Sequence, residues 1–227
     1  GIETSSFIED METDSTASNR QKKQEGNYFD TYIGFDFDYD KRNQKYQTSD
    51  GFRSYYSIDL PIISDNNTVT NFYNYKIFSE LYENNISSMS LSLSSANSIT
   101  GDDVKLSERL YIPQKKLRGF AKGKVGPKDG EDYIGGNYYA VINLSSTLPQ
   151  ILSNNQNIDL GTFIDIGNIW GVDDSSLDES SVLRSSIGLG IDWFTPVGPL
   201  SFSFAQPISK GSNDKTETFR FNLGTTF

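Results

Sequence analysis

The sequence predicts an all-β protein, a transmembrane antiparallel β-barrel of which this chain forms about nine to ten strands. Two observations predict this fold class. Apolar and polar residues alternate with a period of two over segments of about ten residues, and Asn, Asp, Gly, Ser and Pro lie between the segments. A tilted strand of about nine to eleven residues crosses a bilayer, so the segments have the length of membrane strands.

The C-terminal half of the chain alternates most regularly. In VLRSSIGLGIDWFTP one face carries Leu183, Ser185, Ile187, Leu189, Ile191 and Trp193, and the other carries Arg184, Ser186, Gly188, Gly190 and Asp192. After the tight turn VGP, the segment LSFSFAQPI sets Leu200, Phe202 and Phe204 opposite Ser201, Ser203 and Ala205. Because successive side chains of a strand point to opposite faces, each segment has one apolar and one polar face.

Segments upstream repeat the pattern. They are YFDTYIGFDFDYD, FRSYYSIDLPI, NFYNYKIFSELYE, SSMSLSLSSA, GGNYYAVINLSSTLP and NIDLGTFIDIGNIW. The connections between segments tend to alternate between short and long, and residues 106–135 form a long excursion. Short turns at one end and longer loops at the other are typical of outer-membrane barrels, and the aromatic residues near strand ends would form their interfacial girdles.

The composition argues against several classes of function. The 227 residues include no Cys and no His, which removes thiolate chemistry, the commonest transition-metal ligand and the usual general base near neutral pH. The net charge of −10 argues against nucleic acid as a partner. We therefore expect a protein that is not an enzyme and that binds no cofactor, metal ion or nucleic acid.

Three acidic residues have the spacing that opens a calcium loop. Asp36, Asp38 and Asp40 alternate in DFDYDKRNQKYQ, but the Gly and the closing Glu of such a loop are missing. In a strand all three point to the same side. We expect them to face the barrel lumen.

A soluble β-sandwich is the alternative fold, since it also alternates one face in and one face out. Strand length and aromatic content favour the membrane barrel. An open sheet in lipid would leave an edge of unpaired backbone groups. Because the chain begins at GIETSSFIED without an initiating Met, we expect it to be part of a larger barrel.

The segment KKLRGFAKGKVGP carries a resemblance to a known family. Leu117, Arg118, Gly119 and Phe120 resemble the [VL]RGF motif in the long sixth extracellular loop of the BamA family. Further motifs follow in the family's order: GGN at 135–137, FIDIGNIW at 163–170, WFTPVGPLSFSFAQPI at 193–208 and FRFNLGTTF at 219–227. The chain thus resembles the C-terminal part of a BamA-family barrel.

The resemblance implies a barrel of about sixteen strands, preceded by periplasmic POTRA domains. Residues 1–227 would be the C-terminal part of the barrel domain, with the motif in the long loop 101–135, and the POTRA domains and early strands would be absent from this chain. The family lies in the outer membrane of Gram-negative bacteria and folds and inserts other outer-membrane proteins through a lateral seam, without covalent catalysis. The implied partners are client β-barrel proteins, accessory outer-membrane lipoproteins and outer-membrane lipids.

The same resemblance implies a role for the long loop, which would fold back into the lumen. Arg118 would meet the acidic residue Asp165 of FIDIG on the barrel wall. A bidentate Arg–carboxylate pair would hold the loop with fixed geometry. A second acidic position found in many relatives aligns here with Ser145, so the loop would depend on Asp165 alone or on another acid.

The last strand would close the barrel by pairing with the first strand at a seam. The residues assigned to this seam are Phe219, Phe221, Leu223, Gly224 and Phe227. By resemblance the alternating aromatics face lipid, and the terminal aromatic is similar to the recognition signal of client barrels. Gly224 would permit a bend in the strand, because Gly weakens strand pairing.

Two other functions stay open at this point. A TamA-like or two-partner-secretion translocator shares the loop motif and would differ in its N-terminal domains. A passive porin-type channel would need an open lumen, which a loop inside the barrel argues against.

Overall fold

The computed structural model describes residues 1–9, 17–45, 47–83, 85–148, 157–178, 180–195 and 198–223, and in them nearly all of the regular secondary structure is β-strand. The strands of the main sheet are β1 (Ile2–Glu9), β2 (Gly26–Asp40), β3 (Gly51–Ser64), β4 (Thr68–Tyr82), β5 (Asn85–Ser98), β8 (Tyr138–Thr147), β9 (Ile158–Trp170), β10 (Arg184–Thr195), β11 (Gly198–Ser209) and β12 (Phe219–Leu223). A separate hairpin between β5 and β8 consists of β6 (Lys128–Asp129) and β7 (Asp132–Tyr133).

The main sheet has ten strands in the order β1-β2-β3-β4-β5-β8-β9-β10-β11-β12. Every neighbouring pair is antiparallel, and every strand of this sheet pairs with the next one along the chain, apart from the hairpin inserted between β5 and β8. The predicted all-β fold and the predicted nine to ten strands are confirmed. Within the described residues the sheet is not closed, and β1 and β12 are its two edges.

Several strands are longer than the sequence predicted. β2 and β4 each have 15 residues, and β3 and β5 each have 14. The prediction considered only the part of a strand that crosses hydrocarbon, whereas the backbone hydrogen bonds of a hairpin continue past that layer for as long as both strands stay extended.

The helices in the described part of the chain are short. α1 (Asn19–Lys22) is capped by Ser18, whose hydroxyl accepts a hydrogen bond from the backbone N–H of Gln21, while the Gln21 side chain accepts from the backbone N–H of Ser18. A single 3₁₀ turn spans Leu106–Glu108. In the described residues, no helix has the length and apolar character needed to cross a membrane.

The two faces of the main sheet differ as the alternation predicted. One face, called here the outer face, exposes a set of large apolar side chains. They include Phe35, Phe37, Tyr39, Leu144, Ile187, Leu189, Trp193, Phe204, Phe219 and Phe221. Aromatic rings on this face contact each other across strands, as in the pair Phe37–Tyr56 with ring centroids 6.2 Å apart. An apolar band of this extent matches a lipid-facing surface.

The opposite, inner face carries the buried polar residues. Asp165, Arg184 and Ser186 on this face are fully buried. The connection between β5 and β8, residues 99–137 and called here the long loop, covers the inner face and supplies its apolar contacts. The core cluster consists of Ile112, Leu117, Phe120 and Val125 from the long loop and Tyr139, Val141 and Ile169 from β8 and β9. The buried core therefore lies between a loop and a sheet.

The acids that alternate on β2 lie on the inner face, as predicted, and each binds a neighbouring side chain. Asp38 accepts two hydrogen bonds from Arg53, at 2.9 and 2.8 Å. Asp36 accepts from the hydroxyl of Tyr55, and Asp40 accepts from Arg42. All three carboxylates therefore accept hydrogen bonds from side chains of the barrel wall itself.

We expect a charge on the outer face to destabilise the protein. Leu189 is exposed in the middle of β10, and Leu189→Arg should lower the free energy of unfolding by about 2–4 kcal/mol because the guanidinium would enter hydrocarbon. Ser57 on the inner face of β3 pairs with Asp36, so Ser57→Arg is the control. Urea unfolding of the full-length protein in phospholipid vesicles measures both changes. Equal destabilisation by the two variants would contradict the assignment of the faces.

Candidate functional site

The long loop lies directly against the sheet at its LRGF motif. Gly119 has φ 90°, a left-handed conformation that favours glycine. A Cβ atom at this position would lie 3.2 Å from the Cβ atoms of Ala205 and Ser186. The Gly of the motif therefore lets the loop backbone lie directly against β10 and β11, which places the preceding Arg118 over the wall.

Arg118 binds Asp165 of β9 through two parallel hydrogen bonds. Nε donates to Oδ2 and Nη2 donates to Oδ1, both at 2.7 Å, and the backbone N–H of Arg118 donates to Oδ2 at 3.0 Å. The Asp165 side chain is fully buried, whereas 23% of the Arg118 side chain is exposed. The guanidinium also lies 3.4 Å from the ring centroid of Phe163. This bidentate geometry fixes both the position and the orientation of the loop.

A hydroxyl on β10 holds the other side of the motif. Ser186 is fully buried, and its Oγ donates to the backbone carbonyl of Arg118 at 2.5 Å. Arg118 is thus bound through its side chain, its N–H and its carbonyl, by two adjacent strands.

Asn143 of β8 is a further contact that the sequence did not single out. Its Nδ2 donates to Asp165 Oδ1 at 2.8 Å and to the carbonyl of Lys116 at 2.6 Å. Ser145, two residues later, instead hydrogen-bonds Ser88 of β5 at 2.8 Å. The side chain that joins Asp165 to the loop from β8 is therefore a neutral amide. The signal that could have found it is strand register, because Asn143 lies directly opposite Asp165.

The remaining residues of the motif are apolar and buried. Leu117 and Phe120 are 3% and 2% exposed and belong to the core cluster with Val141 and Ile169. Removing apolar surface from water stabilises this contact by about 1.5–3 kcal/mol for each fully buried side chain. The motif therefore combines one residue that binds the wall by polar contacts, Arg118, with apolar residues on either side that pack against it.

Lys116 extends the contact of the loop along the inner face to β4 and β5. Its Nζ donates to Ser92 of β5 at 2.6 Å and lies 5.8 Å from the ring centroid of Phe72. Burial lowers the pKa of Lys116 from its ordinary value because desolvation disfavours the ammonium form. The contacts of Lys116 and Gly119 thus extend from β4 to β11.

The last strand carries its predicted aromatics on the outer face. Phe219 lies 4.9 Å from Phe204 and Phe221 lies 5.1 Å from Phe202, measured between ring centroids. Leu223 is exposed on the same face. The other two residues that the sequence assigned to this strand, Gly224 and Phe227, lie outside the described residues.

Fold and loop together define a class of protein, an outer-membrane β-barrel whose inner face is covered by a loop bound to the wall. Residues 3–227 match the Omp85 superfamily domain, and the chain belongs to this superfamily. The family also confirms the predicted outer-membrane location and the resemblance to BamA proteins.

Particular relatives carry the comparison further. The chain is 30% identical over 132 residues to the outer membrane protein assembly factor BamA of Neorickettsia risticii, an alignment that covers 56% of this chain and 18% of that protein. It is 29% identical over 141 residues to BamA of Neisseria meningitidis, covering 49% and 17%. A SAM50-like protein of Schizosaccharomyces pombe is 30% identical over 159 residues, covering 63% and 33%.

A solved structure has a similar fold. The structure of BamA from Haemophilus ducreyi lacking POTRA domains 1-3 superposes with a TM-score of 0.79 at 26% identity. The similarity covers 86% of this chain and 42% of that one. The chain spans less than a fifth of the two BamA sequences and less than half of the structure it matches.

We expect Arg118→Ala to release the long loop from the wall. The change leaves the buried Asp165 without its countercharge, which costs about 3–5 kcal/mol. In the full-length protein, trypsin should then cleave at Lys115, Lys116 and Lys122 at least about tenfold faster. Arg53→Ala removes an arginine of the inner face from β3 and is the control. Equal cleavage rates in Arg118→Ala and the wild type would contradict the contact.

Proposed function

We propose that the full-length protein is an outer-membrane assembly factor that folds and inserts other β-barrel proteins through a lateral seam. The observation that carries this proposal is the bidentate binding of the LRGF loop to Asp165, in a chain similar to proteins named outer membrane protein assembly factor. The loop keeps the wall from β8 to β11 in one arrangement. The seam strand then lies next to a fixed part of the barrel.

The seam would lie between β12 and the first strand of the whole barrel. Among the described residues, β12 pairs with β11 and forms one edge of the sheet. An unpaired strand edge presents N–H and C=O groups that another strand can join, so a client strand could add to the sheet by β-augmentation. This mechanism uses backbone hydrogen bonds and needs no covalent step and no cofactor.

In the full-length protein, further domains and strands would precede this chain. We propose that POTRA domains and the early strands precede residues 1–227, and that residues 101–135, which lie within the long loop, form the sixth extracellular loop. The partners would be client outer-membrane proteins, accessory outer-membrane lipoproteins and the lipids beside the seam. A TamA-like or two-partner-secretion translocator would differ in its N-terminal domains, so the number and order of the domains that precede the barrel in the full-length protein separate it from an assembly factor.

The seam makes a direct test possible. We expect a disulfide between β12, at Asn222→Cys, and a cysteine at the facing position of the first strand to block insertion of an unfolded client barrel into vesicles. Reduction should restore insertion, because only the opening of the seam has been prevented. Insertion is measured as protease-resistant client over time.

A disulfide away from the seam is the matched control. Gly190 of β10 lies opposite Ser203 of β11, and a Cβ at Gly190 would have no neighbour within 4 Å. Gly190→Cys with Ser203→Cys should leave client insertion unchanged. If the seam disulfide also leaves insertion unchanged, the seam mechanism is wrong, and if the wild-type protein inserts no client, the assembly function itself is wrong.

Loosening the loop should also impair function. We expect Arg118→Ala to slow client insertion by about tenfold or more, because the wall beside the seam is no longer held in one arrangement. Arg118→Lys keeps the charge without the bidentate fork and should be intermediate. Ion conductance of the same vesicles tests the channel alternative, for which high conductance of the wild type would be required.

A further inference from the structure

A second arginine binds the long loop, and it comes from the edge strand. Arg220 of β12 is 5% exposed and points to the inner face. Its Nη1 donates to the carbonyl of Gln114, and its Nη2 donates to the carbonyl of Phe120, both at 2.6 Å. One guanidinium therefore joins two separate points of the loop backbone to β12.

The same guanidinium is held in place on the opposite side. Glu217, which precedes β12, accepts from Arg220 Nη2 at 2.6 Å and from Nε at 3.2 Å. With its amide oxygen turned toward Arg220, the Gln114 side chain also accepts from Nε at 2.8 Å. The fixed fork of an arginine suits such a set of oxygen acceptors, whereas a lysine ammonium does not reproduce it.

The backbone of the loop also pairs with the connection between β11 and β12. The N–H of Ala121 donates to the carbonyl of Lys215 at 2.9 Å, and the N–H of Lys215 donates to the carbonyl of Lys124 at 3.0 Å. The N–H of Glu217 donates to the carbonyl of Gly119 at 3.0 Å. Residues 119–124 of the loop thus form a short ladder of hydrogen bonds with the segment that leads into the edge strand.

A buried ion pair fixes the start of that segment. Arg184 of β10 binds Asp214 with Nε–Oδ2 2.9 Å, and both side chains are fully buried. Asp214 Oδ1 also accepts from the backbone N–H of Gly126 in the long loop at 3.1 Å. The connection is therefore bound to the wall at Asp214 and to the loop from residue 119 to residue 126.

We propose that Arg220 is a positioning residue that couples the edge strand to the long loop. β12 then separates from β11, or from the first strand at the seam, only when the loop is released from the wall. The inference deepens the proposed function, on which the role of the seam rests. Moving β12 away from the loop would separate the buried guanidinium of Arg220 from the carbonyls of Gln114 and Phe120, and losing hydrogen bonds of a buried charged group is unfavourable. Coupling is reciprocal, so loosening the loop must loosen β12 as well.

Amide hydrogen–deuterium exchange on the full-length protein in lipid nanodiscs tests the coupling. The peptide that covers residues 219–223 is followed in the wild type, Arg118→Ala, Arg220→Gln and the double variant. We expect Arg118→Ala to speed exchange in this peptide by roughly fivefold or more when Arg220 is present. In the Arg220→Gln background, Arg118→Ala should add less than about twofold.

Arg53→Gln is the matched control. Arg53 is also an arginine on the inner face, but its partner is Asp38 of the neighbouring strand, and its side chain is 36% exposed. In its background, Arg118→Ala should still transmit the full effect to residues 219–223. In the Arg220→Lys background, Arg118→Ala should speed exchange in residues 219–223 by less than it does when Arg220 is present. If the Arg118→Ala, Arg220→Gln double variant does not assemble, Arg220→Lys is used in place of Arg220→Gln.

Two outcomes would overturn the inference. One is an equal effect of Arg118→Ala on residues 219–223 with and without Arg220, and the other is no effect in either background. Client insertion is measured on the same samples. A wild type that inserts no client contradicts the proposed function, whereas the exchange data decide the coupling on their own.

Discussion

The bidentate contact between Arg118 and Asp165 is the interaction on which the rest of the site depends. The long loop covers this part of the barrel wall and excludes water from it, so the two opposite charges meet in a buried site. Asp165 has no exposed surface. Such a pair is favourable only when its geometry is good and its remaining hydrogen-bonding groups have partners. Asn143 and the backbone N–H of Arg118 supply those partners for Asp165, so the position of the loop is specified by several groups at once.

Because lipid surrounds the barrel, its apolar side chains lie on the outside and its buried polar groups lie inside, the reverse of a soluble protein. The outer face needs no packing partner, because the apolar side chains of β2, β10 and β12 are already in a favourable medium. Burial inside must therefore come from the long loop, which brings Leu117 and Phe120 against β8 and β9. Polar groups on the inner face are buried by the same loop, and each needs a hydrogen-bonding partner.

Three arginines bind the long loop and the connection between β11 and β12 to the C-terminal strands of the wall. Arg118 reaches from the loop to β9, Arg184 reaches from β10 to the last connection, and Arg220 reaches from β12 back to the loop. Each spans two elements that are distant in sequence. The long loop and the last connection are thus held at three separate points of the C-terminal wall.

The sequence by itself determined the fold class, the approximate number of strands, the two faces and the order of the motifs, because period-two alternation and strand polarity are local properties. It also indicated Arg118 and Asp165, through resemblance to a family. Only the tertiary structure revealed Asn143, Arg184, Asp214 and Arg220, since their partners depend on strand register and on the path of a long loop across the sheet. Local pattern predicts which face of the sheet a residue takes, whereas the partner that it meets there can be distant in sequence, as for Arg220 and Gln114, which are 106 residues apart.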